Sequence, residues 1–203
     1  IYRNYAARCF KANAMDFDDL LMNINILFRD FPAVLEQYRN RFDYVLVDEY
    51  QDINLGQQTL IELLAGDQAD IMVVGDDDQT IYEWRGARPN YILKDFATVF
   101  NNKPVKDYRL SRSFRFGPVI AQCAANVIAC NTLRVEKPLI AFQAEKPGFI
   151  HVIRDGTDTC KELADQVVLL VNQDLVPPKE IIVLARMFAQ MDSLEAEFLS
   201  RGI

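Results

Sequence analysis

With 203 residues, half of them apolar, the chain can bury one large core or two modest ones, and global disorder is excluded. Its net charge of −7, from 22 basic and 29 acidic residues, argues against a broad basic face for nucleic acid and leaves only a narrow track of aromatics and local cations. Four scattered cysteines and a single histidine, His151, exclude a zinc site of ordinary spacing and a disulfide framework, so buried free thiols in a reducing cytoplasm are expected.

Apolar spacing alternates between helical and strand periods along the whole chain. Asp16 is placed to cap a helix whose apolar stripe is Phe17, Leu20, Leu21, Ile24, Leu27 and Phe28, and a second helix is expected over residues 33–41. Tyr44-Val45-Leu46-Val47 reads as a short buried strand that runs straight into acids. A helix over 55–65 and a second buried strand over 71–74, closed by Gly75, complete a strand–helix–strand unit, the pattern of a parallel sheet with crossover helices. The pattern restarts after Asn101-Asn102-Lys103-Pro104, which predicts a domain boundary near residue 104. Beyond it the expected order is strand 105–110, helix 118–130 with Val119, Ile120, Cys123, Val127 and Ile128 on one face, and an irregular stretch 138–148. Strand 149–153, helix 159–172, strand 181–185 and helix 190–200 follow. No apolar run approaches the roughly 18 residues that cross a bilayer. Ile1 is not a natural start and the pattern breaks off at Arg201-Gly202-Ile203, so a piece of a longer chain is expected.

In parallel α/β sheets ligands bind beyond the carboxyl ends of the strands. The first strand end carries Asp48-Glu49-Tyr50-Gln51-Asp52. An acid there suits Mg²⁺ beside a phosphate chain, and the adjacent glutamate suits deprotonation of an attacking water; a solvated acidic turn capping the next helix is the plainer alternative. The second strand end carries Gly75-Asp76-Asp77-Asp78-Gln79-Thr80-Ile81-Tyr82-Glu83-Trp84-Arg85-Gly86. Here Asp77 reads as solvent-facing, Gln79 as a residue that senses a γ-phosphate or positions water. Tyr82, Trp84 and Arg85 suit stacking on single-stranded bases, although a lone tryptophan is as often core. A third cluster, Ser111-Arg112-Ser113-Phe114-Arg115-Phe116, offers arginines that are either ordinary surface charges or an arginine finger.

Taken in this order, these segments resemble the superfamily 1 DNA helicases of the UvrD, Rep and PcrA group. Asp48 through Asp52 with Asn54 resembles the family's Walker B motif; Val74-Gly75-Asp76 through Gln79, Ile81-Tyr82 and Trp84-Arg85-Gly86-Ala87 resembles its third motif; Leu110 through Arg115 resembles the fourth; and Asp16-Phe17-Asp18-Asp19-Leu20-Leu21 resembles the motif upstream of Walker B. The resemblance implies a RecA-like (P-loop NTPase-type) α/β fold, with residues 1–104 the later part of a first domain and 105–203 the start of a second. It further implies an ATP- and Mg²⁺-dependent motor moving along single-stranded DNA up to a duplex junction, of 3′-to-5′ polarity. Asp48 would bind Mg²⁺, Glu49 would be the base, Gln79 and Arg85 would link the γ-phosphate to the DNA site, Arg115 would be the arginine finger, Phe114 would stack on adenine, and Tyr82 and Trp84 would stack on bases. Relatives commonly carry asparagine where this chain has Ser113 and a small polar residue where it has Phe116. No G-x-x-x-x-G-K loop followed by Ser or Thr occurs in the chain, so the piece alone is expected not to hydrolyse ATP. Other readings are a non-catalytic helicase-like scaffold, a helicase–nuclease subunit of a repair complex, and an unrelated Mg²⁺-dependent hydrolase, the last leaving Tyr82 to Arg85 unexplained.

Overall fold

The computed structural model describes residues 1–39, 41–142, 145–154, 160–173 and 175–202. They form a mixed α/β structure with small parallel sheets, divided into two compact units, Ile1–Pro147 and Gly148–Ile203. The first unit runs through residue 104, where the sequence pattern restarts.

The first unit opens with α1 (Tyr2–Lys11), which the sequence pattern did not single out. Helix α2 (Phe17–Asp30) begins at Asp16 with a reciprocal capping box: Asp16 Oδ1 accepts from Asp19 N at 2.7 Å and Asp19 Oδ2 accepts from Asp16 N at 3.3 Å. Tyr5 adds a third tie, donating its hydroxyl to Asp16 Oδ2 at 2.6 Å, and the Asp16 carboxyl is held below its ordinary range chiefly by that bond. Of the expected apolar stripe, Phe28 is buried and Leu21 and Ile24 are half-buried, whereas Phe17, Leu20 and Leu27 face outward. Helix α3 (Pro32–Arg39) and helix α4 (Leu55–Ala65) pack with α2 into one layer. A second capping box, Asn54 with Gln57, starts α4 at bond lengths of 2.9 and 3.0 Å.

Strands β1 (Tyr44–Val47) and β2 (Asp70–Val73) flank α4 and pair in parallel, with Tyr44 opposite Asp70 and Val47 opposite Val73. The crossover between parallel strands is therefore the helix the sequence placed there. Both strands were expected to be buried, and that is corrected. Period-2 alternation turns Val45, Val47, Ile71 and Val73 inward, while Tyr44, Leu46 and Met72 stand exposed on a face that no helix covers among the described residues. The core beneath the inner face is Tyr50, Ile53 and Tyr91, with Val47, Ile61, Val73, Ile92 and Phe96 packed around it. The Phe96 ring meets Tyr50 edge-on, with centroids 5.9 Å apart. Phe96 comes from α5 (Phe96–Val99), which continues a single π-helical turn, Tyr91–Asp95.

Further along, a two-residue ladder pairs β3 (Arg112–Ser113) with β4 (Ile140–Ala141), again in parallel. Helix α6 (Pro118–Ile128) starts with proline at its first position, where the missing N–H costs nothing. Its inward face is Ile120, Ala121, Ala124, Ala125 and Ile128, one position round from the expected stripe, so Val119, Cys123 and Val127 are exposed. In the second unit, α7 (Lys161–Asn172) and α8 (Ala189–Arg201) pack through Ala164, Val167 and Leu194. Arg201 joins them, bonding Asp165 on α7 at 2.9 Å and Glu197 on its own helix. The expected start of α7 at residue 159 lies outside the described residues.

The strands expected over 105–110, 149–153 and 181–185 do not form. A strand exists only through a ladder partner, and none lies beside these segments among the described residues. The 181–185 segment still alternates, with Ile182 and Leu184 outward. The thiols are not buried either: Cys123 and Cys130 are exposed, Cys9 and Cys160 half-buried, and none of the four is in a disulfide. Among the described residues no helix is long and apolar enough to cross a membrane.

Candidate active site

Both strands of the larger sheet end in acids on the same side. The backbone ladder runs on past them, with Val74 N donating to Val47 O at 2.8 Å and Tyr50 N to Val74 O at 2.9 Å. This holds Asp48–Asp52 against Gly75–Asp78.

Between these pairing points Glu49 adopts a left-handed conformation, φ +51° and ψ +42°. That conformation costs a non-glycine residue about 1–2 kcal/mol and persists only where surrounding bonds over-determine it. Here they do: Asp48 Oδ1 accepts from Glu49 N at 2.9 Å, Glu49 O accepts from Asp52 N at 2.9 Å, and Glu49 Oε2 accepts from Gln51 Nε2 at 2.7 Å. The strained turn lifts Asp48 and Glu49 to the surface while Tyr50 and Gln51 point into the core, 0% and 1% exposed. Burial pushes the Tyr50 hydroxyl up to about 12. It therefore stays a neutral donor to Gln58 Oε1 at 2.7 Å, and Gln58 passes the chain to Glu62 at 2.7 Å.

Gln51 links the two strand ends. Its Nε2 holds the Glu49 carboxylate and its Oε1 accepts from Asp76 N at 3.0 Å. Asp76 Oδ2 in turn accepts from Gln79 Nε2 at 2.7 Å. Glu49 and Gln79, thirty residues apart in sequence, are thus joined by one hydrogen-bond relay through a buried amide. Gly75 makes room for it. A Cβ there would lie 2.7 Å from Gln51 Oε1 and 2.8 Å from Ile92 Cδ1. Gly75→Ala is expected to destabilise the protein by about 1–3 kcal/mol through overpacking, read as a lower urea midpoint at unchanged slope; an unchanged midpoint would show that the relay is loosely held.

The triad Asp76-Asp77-Asp78 is not a solvent-facing loop. The Asp77 side chain, expected to be free in water, is 6% exposed and bonds Lys137 Nζ and, at 2.8 Å, Val135 N. Lys137 Nζ also reaches Asp76 at 2.8 Å and Asp78 at 2.9 Å. Arg134 grips Asp78 in a bidentate pair at 3.0 and 2.7 Å. The carboxylate oxygens lie within 4.8 Å of one another, close enough to hold a cation, and the Lys137 ammonium fills that role. Burial opposes ionisation of Asp76, but the bonds from Lys137 and Gln79 outweigh it and hold the carboxyl below its usual range. Burial likewise opposes the charge on Asp78, and Arg134 with Lys137 reverses the sign. A cavity of about 340 Å³ behind this loop is bounded by Asp77, Asp78, Glu83, Asn131 and Leu133 and includes neither Asp48 nor Glu49.

A short turn later, Tyr82, Trp84 and Arg85 form an exposed cluster. The rings are 6.5 Å apart, and the Arg85 guanidinium lies 5.6 Å from the Tyr82 centroid and 5.7 Å from that of Trp84. Trp84 is 79% exposed, which excludes a core role for it in this chain. Gly86, with φ +94°, closes the turn in a conformation that glycine tolerates best. Phe114 lies 4.7 Å from Phe142, ring to ring, beside the β3–β4 ladder. Arg115 is exposed, and its guanidinium makes no hydrogen bond or ion pair with the described residues; only its backbone N–H donates, to Ser113 Oγ at 3.4 Å.

The structure therefore gathers Asp48, Glu49 and Gln79 into one network and Tyr82, Trp84 and Arg85 into a neighbouring cluster in sequence, with Phe114 and Arg115 in neither. Gln51, Arg134 and Lys137 were missed by sequence reasoning. Gln51 alone left a trace, as a polar residue two places after an acid at a strand end.

Comparison with known proteins finds the family that the sequence resembles. A sequence profile of the UvrD/REP helicase N-terminal domain matches residues 1–99. The whole chain aligns with ATP-dependent DNA helicase Rep of Buchnera aphidicola subsp. Schizaphis graminum at 32% identity. It also aligns over its whole length with DNA helicase II of Rickettsia typhi at 36% and with ATP-dependent DNA helicase PcrA of Staphylococcus aureus at 41%. In each case the chain spans 30% or less of the relative's length.

Proposed function

This chain belongs to the UvrD/Rep helicase family, and on that premise we propose that it is the segment of an ATP-dependent DNA helicase that prepares hydrolysis and passes it to single-stranded DNA. The observation that carries this reading is the relay from Glu49 through Gln51 and Asp76 to Gln79. It couples a surface carboxylate suited to general-base work to a glutamine on the segment that bears the exposed aromatic cluster.

In this reading residues 1–104 are the later part of one RecA-like domain and 105–203 the start of a second, with the nucleotide between them. Asp48 is an exposed carboxylate at the end of a parallel strand, a donor that fits Mg²⁺ held by one carboxylate, water and phosphate. Mg²⁺ would neutralise charge along the phosphate chain. Glu49, fixed by Gln51, accepts the proton of the attacking water. Gln79 directs its amide toward Asp76, which orients its carbonyl for that water or for the γ-phosphate. Arg115 supplies positive charge to the transition state, and Phe114 flanks the adenine. Tyr82 and Trp84, steadied by Arg85, stack on bases of the tracked strand, so that any shift at Gln79 is felt three to five residues away. Movement along the strand to a duplex junction, 3′-to-5′ polarity, a cytoplasmic setting and a role in repair or replication belong to the same proposal. Hydrolysis requires the full-length protein, because the phosphate-gripping loop is absent from this sequence.

The test is Trp84→Ala in the full-length protein. Base stacking contributes roughly 1–3 kcal/mol, so the single-strand concentration that half-stimulates ATP turnover should rise by roughly 5- to 150-fold, while DNA-free turnover stays near wild type. An equal fall in stimulated and unstimulated turnover would contradict the assignment.

A further inference from the structure

We infer that Lys137, seconded by Arg134, is a positioning residue for Gln79, acting through the acid triad; this deepens the function proposed above and rests on it. Three adjacent carboxylates repel one another, and without a counter-charge Asp76 and Asp78 would move apart toward water. Lys137 Nζ contacts all three, at 2.8 Å to Asp76 and 2.9 Å to Asp78 with Asp77 also bonded. Its side chain is 25% exposed, those of Asp77 and Asp78 are 6% and 9% exposed and that of Asp76 is 35% exposed, so the contacts to Asp77 and Asp78 are the ones best shielded from solvent screening. Arg134 fixes the far end through two parallel bonds to Asp78, and Val135 N fixes Asp77. The geometry that results is specific to Asp76: Lys137 takes Oδ1, which leaves Oδ2 to receive Gln79 Nε2 at 2.7 Å. One carboxylate is thereby divided between the cation that anchors it and the glutamine it aims. Because Asp76 N is also bonded to Gln51, the clamp fixes the relay at its midpoint.

The clamp reaches across sequence. Lys137 lies after α6, 60 residues from Asp77, on the segment that leads into β4. It thus ties the loop that presents Gln79 to the half of the chain that carries Phe114 and Arg115, within the same compact unit. Displacement of that segment releases Asp76, and Gln79 loses its aim.

The test uses the full-length protein with Lys137→Met, which keeps the aliphatic stem and removes the charge, and Lys137→Arg, which restores it. Two measurements are made: hydrogen exchange of the peptide spanning 75–86, and steady-state ATPase kinetics with single-stranded DNA. For Lys137→Met, exchange over 75–86 should quicken by roughly tenfold or more with the β1 and α4 peptides unchanged. Its kcat should fall roughly 10- to 100-fold, as for a group displaced by about 1 Å, with KM for ATP within about threefold. Lys137→Arg should recover most of both. Unchanged exchange over 75–86, or quickened exchange throughout the protein, overturns the inference, as does local quickening with kcat intact. A wild-type protein without DNA-stimulated ATPase overturns the proposed function instead, and the exchange result still decides whether the clamp holds the loop.

Discussion

Arg115→Ala in the full-length protein is expected to lower ATP turnover by roughly 10³- to 10⁵-fold, the range by which an arginine finger accelerates phosphoryl transfer. The expectation comes from what Arg115 lacks as much as from its motif. An arginine that serves the fold is paired; Arg134 and Arg201 are held by carboxylates at 2.7 and 2.9 Å. The Arg115 guanidinium is exposed and without such a partner among the described residues, at the turn between β3 and α6. Removing it should therefore leave the thermal midpoint within about 1 °C, since surface changes away from structural contacts fall within about ±0.5 kcal/mol. Arg115→Lys should recover little, because an ammonium cannot present a planar fork to phosphate oxygens. The measurement is phosphate release at saturating ATP and DNA, set beside a melting curve. Retention of most of the turnover would remove Arg115 from the mechanism; loss of turnover together with a large fall in melting temperature would make it a structural residue.

How much was legible in the sequence follows from which forces are local. Helix α2, β1, α4 and β2 were placed within a residue or so because a capping aspartate, an apolar period and a closing glycine are all written within a few positions. What covers those elements was not legible. Leu46 and Met72 read as buried strand residues, yet they stand on an open face, because burial depends on neighbours that no local pattern specifies. The same limit removed the strands expected over 105–110, 149–153 and 181–185: apolar character predicts an extended segment, and a ladder partner must still arrive. At the candidate site, side-chain chemistry at strand ends singled out Asp48, Glu49 and Gln79, which lie in one hydrogen-bond network, and Tyr82 and Trp84, which lie in an exposed cluster. Asp77 misled, since it reads as solvated until a lysine 60 residues away arrives to neutralise it. Gln51 was seen as part of a motif but not as its connection, because the amide that completes its pair, Asp76 N, is 25 residues distant.

Glu49→Gln is the second large effect, expected to slow hydrolysis by roughly 10²- to 10⁴-fold, the contribution of a positioned general base. The substitution is close to isosteric, and the structure explains why it should be mild in every other respect. Gln51 Nε2 is the donor in the 2.7 Å bond to Glu49 Oε2, and an amide oxygen at residue 49 accepts that bond as a carboxylate does. The left-handed turn, fixed by Asp48 Oδ1 and by Asp52 N, loses none of its backbone ties. Asp48, the residue proposed to hold Mg²⁺, is untouched. ATP binding by the full-length protein, measured by fluorescence of a labelled nucleotide, should thus stay within about threefold of wild type while turnover collapses, the pattern of an interaction made only in the transition state. A comparable loss of affinity would mean that Glu49 shapes the nucleotide pocket and takes no proton. Unimpaired turnover would mean that another group is the base, and the strain stored at φ +51° would then need a different function.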